Sequence, residues 1–308
     1  MICKTPIIYL DNLKNNKLFV KRDDLLPFSF GGNKARKAKL FFDEIIKGNY
    51  DYVITYGSFS SNLVRIVANY CKKFNLECLA VTPESYKKSY NSILAKELGA
   101  EFVVCDINNV KETIENLLKE KKEQGKKPYF IPGGGHGNIG TQAYVDAFNE
   151  ILDYEKANDI FFDYIFFASG TGTTQSGLVC GKIINNAQNK IVGISIARKN
   201  PRGKEVIVES VKEYLLEKGI GIQNISDSVT FIDDYIAGGY GENNQKIIET
   251  IKEAFKKDGL PLDATYTGKA FWGMREYIKD KNIKDKNILF IHTGGAPLFF
   301  DNLKEWIK

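Results

Sequence analysis

The stretch YIFFASGTGTTQSGLVCGKIINN, Tyr164–Asn186, decides the fold. Its opening run, Tyr164–Ala168, is aromatic and apolar and too short for a buried helix, so it predicts a strand covered on both faces. A turn of small residues follows, Ser169-Gly170-Thr171-Gly172-Thr173-Thr174, and Gln175–Asn186 then takes up helical spacing. The same unit recurs along the chain. Short β-branched or aromatic runs at Tyr52–Tyr56, Cys78–Thr82, Phe102–Cys105, Tyr129–Ile131, Ile191–Ile196 and Ile288–His292 predict strands. Helical spacing predicts helices at Lys34–Lys47, Asn62–Phe74, Asn91–Leu98, Val110–Lys121, Lys204–Lys218, Asn243–Lys257 and Gly268–Lys279. Strands that alternate with helices imply an α/β fold of parallel open sheets covered by helices.

The chain has 308 residues, more than the roughly 250 that one core readily accommodates, so two domains are expected. Hydrophobic residues make up 43% and charged residues 26%, enough apolar material for a substantial core. The net charge of +5 arises from 43 basic and 38 acidic residues interspersed along amphipathic helices. That pattern describes solvated faces, without the basic stripe and stacking aromatics of a nucleic-acid binder. The five cysteines form no CxxC pair, and their odd number opposes a closed disulfide framework, so a reducing cytoplasm is expected. No apolar run approaches the length of a signal core or a membrane span.

In open α/β sheets, ligands gather where strands end and helices begin, because glycine turns and helix N-termini present free N–H groups there. The unusual residues of this chain fall at those junctions: Gly31-Gly32-Asn33-Lys34, Gly57–Asn62, Pro132–Gly137, Ser169–Thr174, Gly238–Gly241 and His292–Gly295. Ser169–Thr174 is either a phosphate cup or a tight turn, since it satisfies neither the Walker A nor the dinucleotide fingerprint. Lys34 is either a solvated first-turn residue or an amine held neutral for Schiff-base chemistry. Ser61 and Asn62 open a helix, where a serine can simply be an N-cap. With His136 and His292 as the only histidines, a serine–histidine triad and a histidine-rich metal site both lack support. Tyr240 and Tyr266 are either core aromatics or part of a ligand site.

Taken together and in order, VKRDDLLPFSFGGNKARK, GSFSSNLVR, IPGGGHGNIG, ASGTGTTQSG, GGYG, LDATYTGKA and ILFIHTGGAP resemble the D-cysteine desulfhydrase and 1-aminocyclopropane-1-carboxylate (ACC) deaminase family. That family belongs to the tryptophan-synthase-like fold of pyridoxal 5′-phosphate enzymes, fold type II. The resemblance implies a larger cofactor domain of residues 1–44 and 148–308, an inserted domain of residues 45–147, and a homodimer. It makes Lys34 the Schiff-base lysine, Asn33 a phosphate contact, and Gly170, Thr171, Gly172, Thr173 and Thr174 the phosphate cup. It places Asn62 on the cofactor ring hydroxyl, Tyr266 near the ring face and Thr293 at the pyridine nitrogen. Ser61 would contact substrate and assist α-proton transfer, with Ser60, Asn62 and Tyr240 shaping the substrate pocket.

Two positions separate the branches. ACC deaminases carry a glutamate after the matching tyrosine and a leucine in the final HxGG, whereas this chain has Thr267 and Thr293, as desulfhydrases do. A hydroxyl near the pyridine nitrogen favours its protonation less than a carboxylate would, which suits expulsion of a β-leaving group better than ring opening. The implied reaction is α,β-elimination on a small amino acid. The α-proton passes to Lys34 or Ser61, and D-cysteine would give pyruvate, hydrogen sulfide and ammonia. ACC deamination, elimination from another β-substituted amino acid, and cofactor binding without turnover are the alternatives. Three departures bear on substrate: Ser60-Ser61-Asn62-Leu63 stands where the family commonly reads QSN and then His or Gln, and His136 and Glu242-Asn243 are unlike the usual pattern.

Overall fold

The computed structural model describes residues 4–83, 88–221 and 224–303. Strands β1 (Ile7–Leu13) and β2 (Asn16–Arg22) precede helix α1 (Asn33–Lys47). Next come β3 (Tyr52–Tyr56), α2 (Asn62–Phe74), β4 (Glu77–Thr82), α3 (Tyr90–Glu97), β5 (Glu101–Val104), α4 (Val110–Glu123), β6 (Pro128–Ile131) and α5 (Asn138–Asn158). The chain continues through β7 (Tyr164–Ser169), α6 (Thr173–Ile184), β8 (Lys190–Ser195), α7 (Arg202–Glu217), β9 (Thr230–Ile232), α8 (Gln245–Asp258), α9 (Thr267–Asp280), β10 (Asn287–His292) and α10 (Ala296–Asn302). Among the described residues, no helix is long and apolar enough to cross a membrane.

Two sheets result. The six-stranded sheet runs β1-β2-β10-β7-β8-β9, and the four-stranded sheet runs β5-β4-β3-β6. All pairings are parallel except β1 with β2. The period of two splits each central strand between two cores: Ile165 and Phe167 of β7 pack on one face, with Leu289 and Ile291 of β10. Phe166, Ile288 and Phe290 pack on the other. Helices cover both faces, which is why these strands read as continuous apolar runs.

The antiparallel pair escaped the strand-and-helix pattern. Lys14 and Asn15 link β1 to β2 with φ of 49° and 65°, the two-residue turn that suits the twist of a hairpin. The longest helix, α5, was also absent from the pattern. Thr141, Ala143, Tyr144, Val145, Ala147, Phe148 and Ile151 are all buried, so it shows no single apolar stripe. Its Ile139 packs against the core of the four-stranded sheet, while Ala143–Ile151 pack against that of the six-stranded sheet. Strand β9 and helix α10 are likewise additions, both too short to carry a period. The expected boundaries at 44/45 and 147/148 fall within α1 and α5.

α5 and α6 come unusually close because of a glycine. A Cβ on Gly177 would stand 2.4 Å from Thr141 O and 2.4 Å from Tyr144 Cβ, closer than atoms can approach. Since α6 begins at the phosphate-cup sequence, this contact fixes the height of that loop above the sheet.

Candidate active site

The C-terminal ends of both sheets converge on one cleft of about 370 Å3, within the range of small-ligand sites. Tyr56 ends β3 and is followed by Gly57, Ser58, Ser61 and Asn62, and after β6 come Gly133 and Gly134. From the six-stranded sheet come Ser169 at the end of β7 with Gly170–Gly172 and Thr174 beyond it, Ala197 and Arg198 after β8, and Thr293 and Gly294 after β10. Asn33 and Lys34 enter from the first turn of α1, and Tyr240 and Tyr266 close the mouth.

Glycines at the start of α1 let the lysine reach this point. Gly32 has φ of 90° and donates its N–H to Asp23 O, while Asn33 N donates to Thr293 O. This ties α1 to the end of β10. Lys34 Nζ donates to Gly134 O at 3.2 Å. The side chain is partly exposed in the cleft, but protein packs round the ammonium elsewhere, and this desolvation lowers its pKa to about 8. Lys37, one turn on, is 1% exposed and donates to the same carbonyl at 3.3 Å. Burial, then the nearby Lys34 charge, lowers its pKa as well.

The glycine turn before α6 lines the same cleft and is a candidate anion cradle. Gly172, with φ of 96°, caps the start of α6, where helix geometry leaves the first-turn N–H groups without intrahelical partners. Asn33 Nδ2 donates to Thr174 Oγ1 at 3.1 Å, and Arg198 donates to Thr171 O at 3.2 Å. Gly134 must be a glycine here, because a Cβ would lie 2.5 Å from Thr171 Oγ1. Among the described residues, the lining contains two cations, Lys34 and Arg198, and no carboxylate.

Ser61 caps α2: its Oγ accepts from Leu63 N at 3.2 Å and Val64 N at 3.3 Å. Ser61 also lines the cleft, so the cap and the site share one residue. Asn62 Oδ1 accepts from Asn91 Nδ2 at 3.0 Å, which leaves the Asn62 NH2 as the donor. The Tyr240 and Tyr266 hydroxyls meet at 2.7 Å, and Ser58 Oγ lies 3.5 Å from Tyr240 OH across the cleft.

The cleft thus gathers Asn33, Lys34, Ser61, Asn62, Gly170, Thr171, Gly172, Thr174, Tyr240, Tyr266 and Thr293. Two residues expected there do not line it. Thr173 is fully buried, and its Oγ1 pairs with His136 Nδ1 at 3.0 Å. Ser60 turns its Oγ to Ser58 at 3.1 Å. Thr267 is also fully buried; its Oγ1 donates to Asp263 Oδ2 at 2.8 Å, bracing the start of α9. Of the histidines, His292 is a core residue that accepts from Gly294 N at 3.2 Å and shapes the turn after β10. Burial lowers the pKa of both. Arg198 was missed although its position just past a strand end was a usable signal. Lys37 was missed because nothing in its spacing distinguishes it from a solvated lysine.

A desolvated lysine amine sharing one cleft with a candidate anion cradle, with an amide donor and aromatic hydroxyls around the space between, fits pyridoxal phosphate. Residues 1–294 match the family model described as pyridoxal-phosphate dependent enzyme. The chain belongs to that family. It is 34% identical over 314 residues to a Pyrococcus abyssi protein named "Putative 1-aminocyclopropane-1-carboxylate deaminase", covering 99% of this chain and 93% of that one. It is 31% identical to the D-cysteine desulfhydrase of Yersinia enterocolitica, covering 96% and 92%. A crystal structure of an ACC deaminase homologue superimposes with a TM-score of 0.89 at 32% identity, covering 99% and 93%. This pyridoxal-phosphate enzyme therefore belongs to the ACC deaminase and D-cysteine desulfhydrase group and has its fold type II architecture, as the resemblance implied.

Proposed function

We propose that the protein is a carbon–sulfur lyase acting by α,β-elimination on a β-substituted small amino acid, with D-cysteine the leading substrate. The observation that carries this reading is the absence of any carboxylate among the described lining residues, with Thr293 in the cleft beyond β10. The cofactor, when bound, withdraws electrons from the substrate Cα. Without a carboxylate beside it that withdrawal is modest, and a β-substituent that departs with its own electron pair needs less of it than a cyclopropane ring does.

The residues then divide the work. Lys34 Nζ would hold the cofactor and, as a free amine, would take the α-proton of the substrate; a pKa near 8 suits it to do so near neutrality. Asn33, Gly170, Thr171, Gly172 and Thr174 would hold the phosphate, and Arg198, bonded to Thr171 O, adds positive charge beside them. Asn62 donates to the ring hydroxyl. Ser61 Oγ accepts two main-chain N–H groups, so its own hydrogen is available to the substrate, which it orients during proton transfer. Tyr240 and Tyr266 exclude water and can pass a proton to the departing sulfur. The same reading takes residues 1–44 with 148–308 as the cofactor domain and 45–147 as the domain that closes over substrate, in a cytoplasmic homodimer.

A single panel tests the substrate. Pyruvate should form from at least one of D-cysteine, β-chloro-D-alanine and L-cysteine, with negligible α-ketobutyrate from ACC. ACC turnover above that of every β-substituted substrate would overturn the proposal. Ser61→Ala tests the assignment within the site. Loss of the cap should lower stability by about 1 kcal/mol, and loss of the hydroxyl should slow elimination about 10²-fold. A variant with the stability loss and unchanged turnover would show that Ser61 is only a cap.

A further inference from the structure

Lys269 lies in the first turn of α9, where the positive end of the helix dipole disfavours an ammonium. It is nevertheless completely buried. Its Nζ donates to three main-chain carbonyls: Ile196 O at 3.0 Å, Ile236 O at 2.8 Å and Gly239 O at 2.6 Å. These use all three ammonium hydrogens. Ile196 follows β8 and leads into Arg198, whereas Ile236 and Gly239 belong to the loop between β9 and α8 that carries Tyr240.

That loop has an unusual backbone. Ala237, Gly238 and Gly239 have successive φ values of 49°, 94° and 133°, conformations that cost energy for alanine and that surrounding contacts must maintain. The path aims the carbonyls of Ile236 and Gly239 at one point, and their like partial charges repel unless a cation stands between them. Immediately beyond lies Tyr240, whose hydroxyl meets Tyr266; Tyr266 caps the helix that bears Lys269.

We propose that Lys269 is a positioning residue whose ammonium serves as the resident cation of a three-carbonyl cage and holds the Tyr240 loop against the mouth of the cleft. The lysine does not touch the cleft; it acts through Tyr240. The inference rests on the proposed function only for what Tyr240 does there, not for what holds it. A lysine in this place makes the loop's geometry independent of any cation drawn from solvent.

Hydrogen–deuterium exchange of segment 236–241 in the holoenzyme tests this without a known substrate. In tetramethylammonium chloride, Lys269→Met and Lys269→Ala should exchange this segment about tenfold faster than wild type. About 0.1 M potassium chloride at matched ionic strength should restore slow exchange in Lys269→Ala, whose emptied cage can take the ion. It should not do so in Lys269→Met, whose side chain fills the space without donating. Unchanged exchange in both variants would overturn the proposal. So would fast exchange in Lys269→Ala that potassium leaves fast, since Lys269 would then be a packing residue. Wild type supplies an arm that does not depend on variant folding. Its 236–241 exchange should be the same in both salts, and slowing by potassium would show that the cage takes its cation from solution. Once a substrate is known, kcat/KM should follow the exchange; a normal loop in a protein inactive on the whole panel would count against the proposed function and leave the cage standing.

Discussion

Lys34→Ala is expected to give a folded, colourless protein. The wild-type amine stands at the first turn of α1 and donates to Gly134 O, so truncation removes a desolvated cation and sacrifices little packing. Stability should be equal to or above that of wild type. Sodium borohydride should fix the cofactor to the wild-type peptide containing Lys34 and fix none in the variant, and turnover should fall by about 10³-fold or more. The neutral amine is the attacking form, so capture of cofactor by the apoprotein should accelerate as pH rises through about 8. Covalent attachment that persists in Lys34→Ala would mean that another amine is the anchor, and Lys37, at the same carbonyl, is the first to suspect.

The second large effect is on stability. Asp23 is completely buried and accepts from Thr5 Oγ1 at 2.7 Å, Tyr144 OH at 2.7 Å, and Arg36 Nε and Nη2 at 2.9 Å each. Glu150 on α5 accepts from Arg36 Nη1 at 2.7 Å and from Lys21 Nζ at 2.5 Å. This network joins β2, α1 and α5 two residues from Lys34. Asp23→Ala leaves buried cations with one carboxylate between them and should cost about 3–5 kcal/mol. Desolvation pushes the Asp23 carboxyl up, but attraction to Arg36 and Lys21 and the hydrogen bonds outweigh it and hold the pKa at about 2, below the ordinary 3.8. The folded-state pKa is depressed, so its contribution of about 2 kcal/mol is present above the unfolded value and is lost as pH falls from about 4 toward 2. Urea titrations at a series of pH values should show that loss in wild type and flatten it in Asp23→Ala. Equal slopes for the two proteins would exclude Asp23 as the group responsible.

The strands covered by helices on both faces were legible, because such strands must be short, apolar and bounded by turns; Tyr164–Ala168 and Ile288–His292 needed no context. Helices with one solvated face, such as Asn62–Phe74, were legible through their period. The hairpin was not, because Lys14-Asn15 is a weaker turn signal than Asn-Gly although it adopts the same positive φ. α5 was hidden by its own burial against two cores. The sequence by itself determined the α/β architecture, the cofactor and the family, since ordered motifs at strand ends are local and their chemistry is carried by residue type. Only the tertiary structure decided which members of those motifs face the cleft. It turned Thr171 and Thr174 inward and Thr173 toward His136, made Ser61 a cap as well as a cleft residue, and brought Arg198 and Lys37 beside the amine and the cradle. Direction and depth of burial depend on residues distant in the chain, Arg36 with Glu150 or Lys269 with Gly239, and no local spacing encodes those pairings.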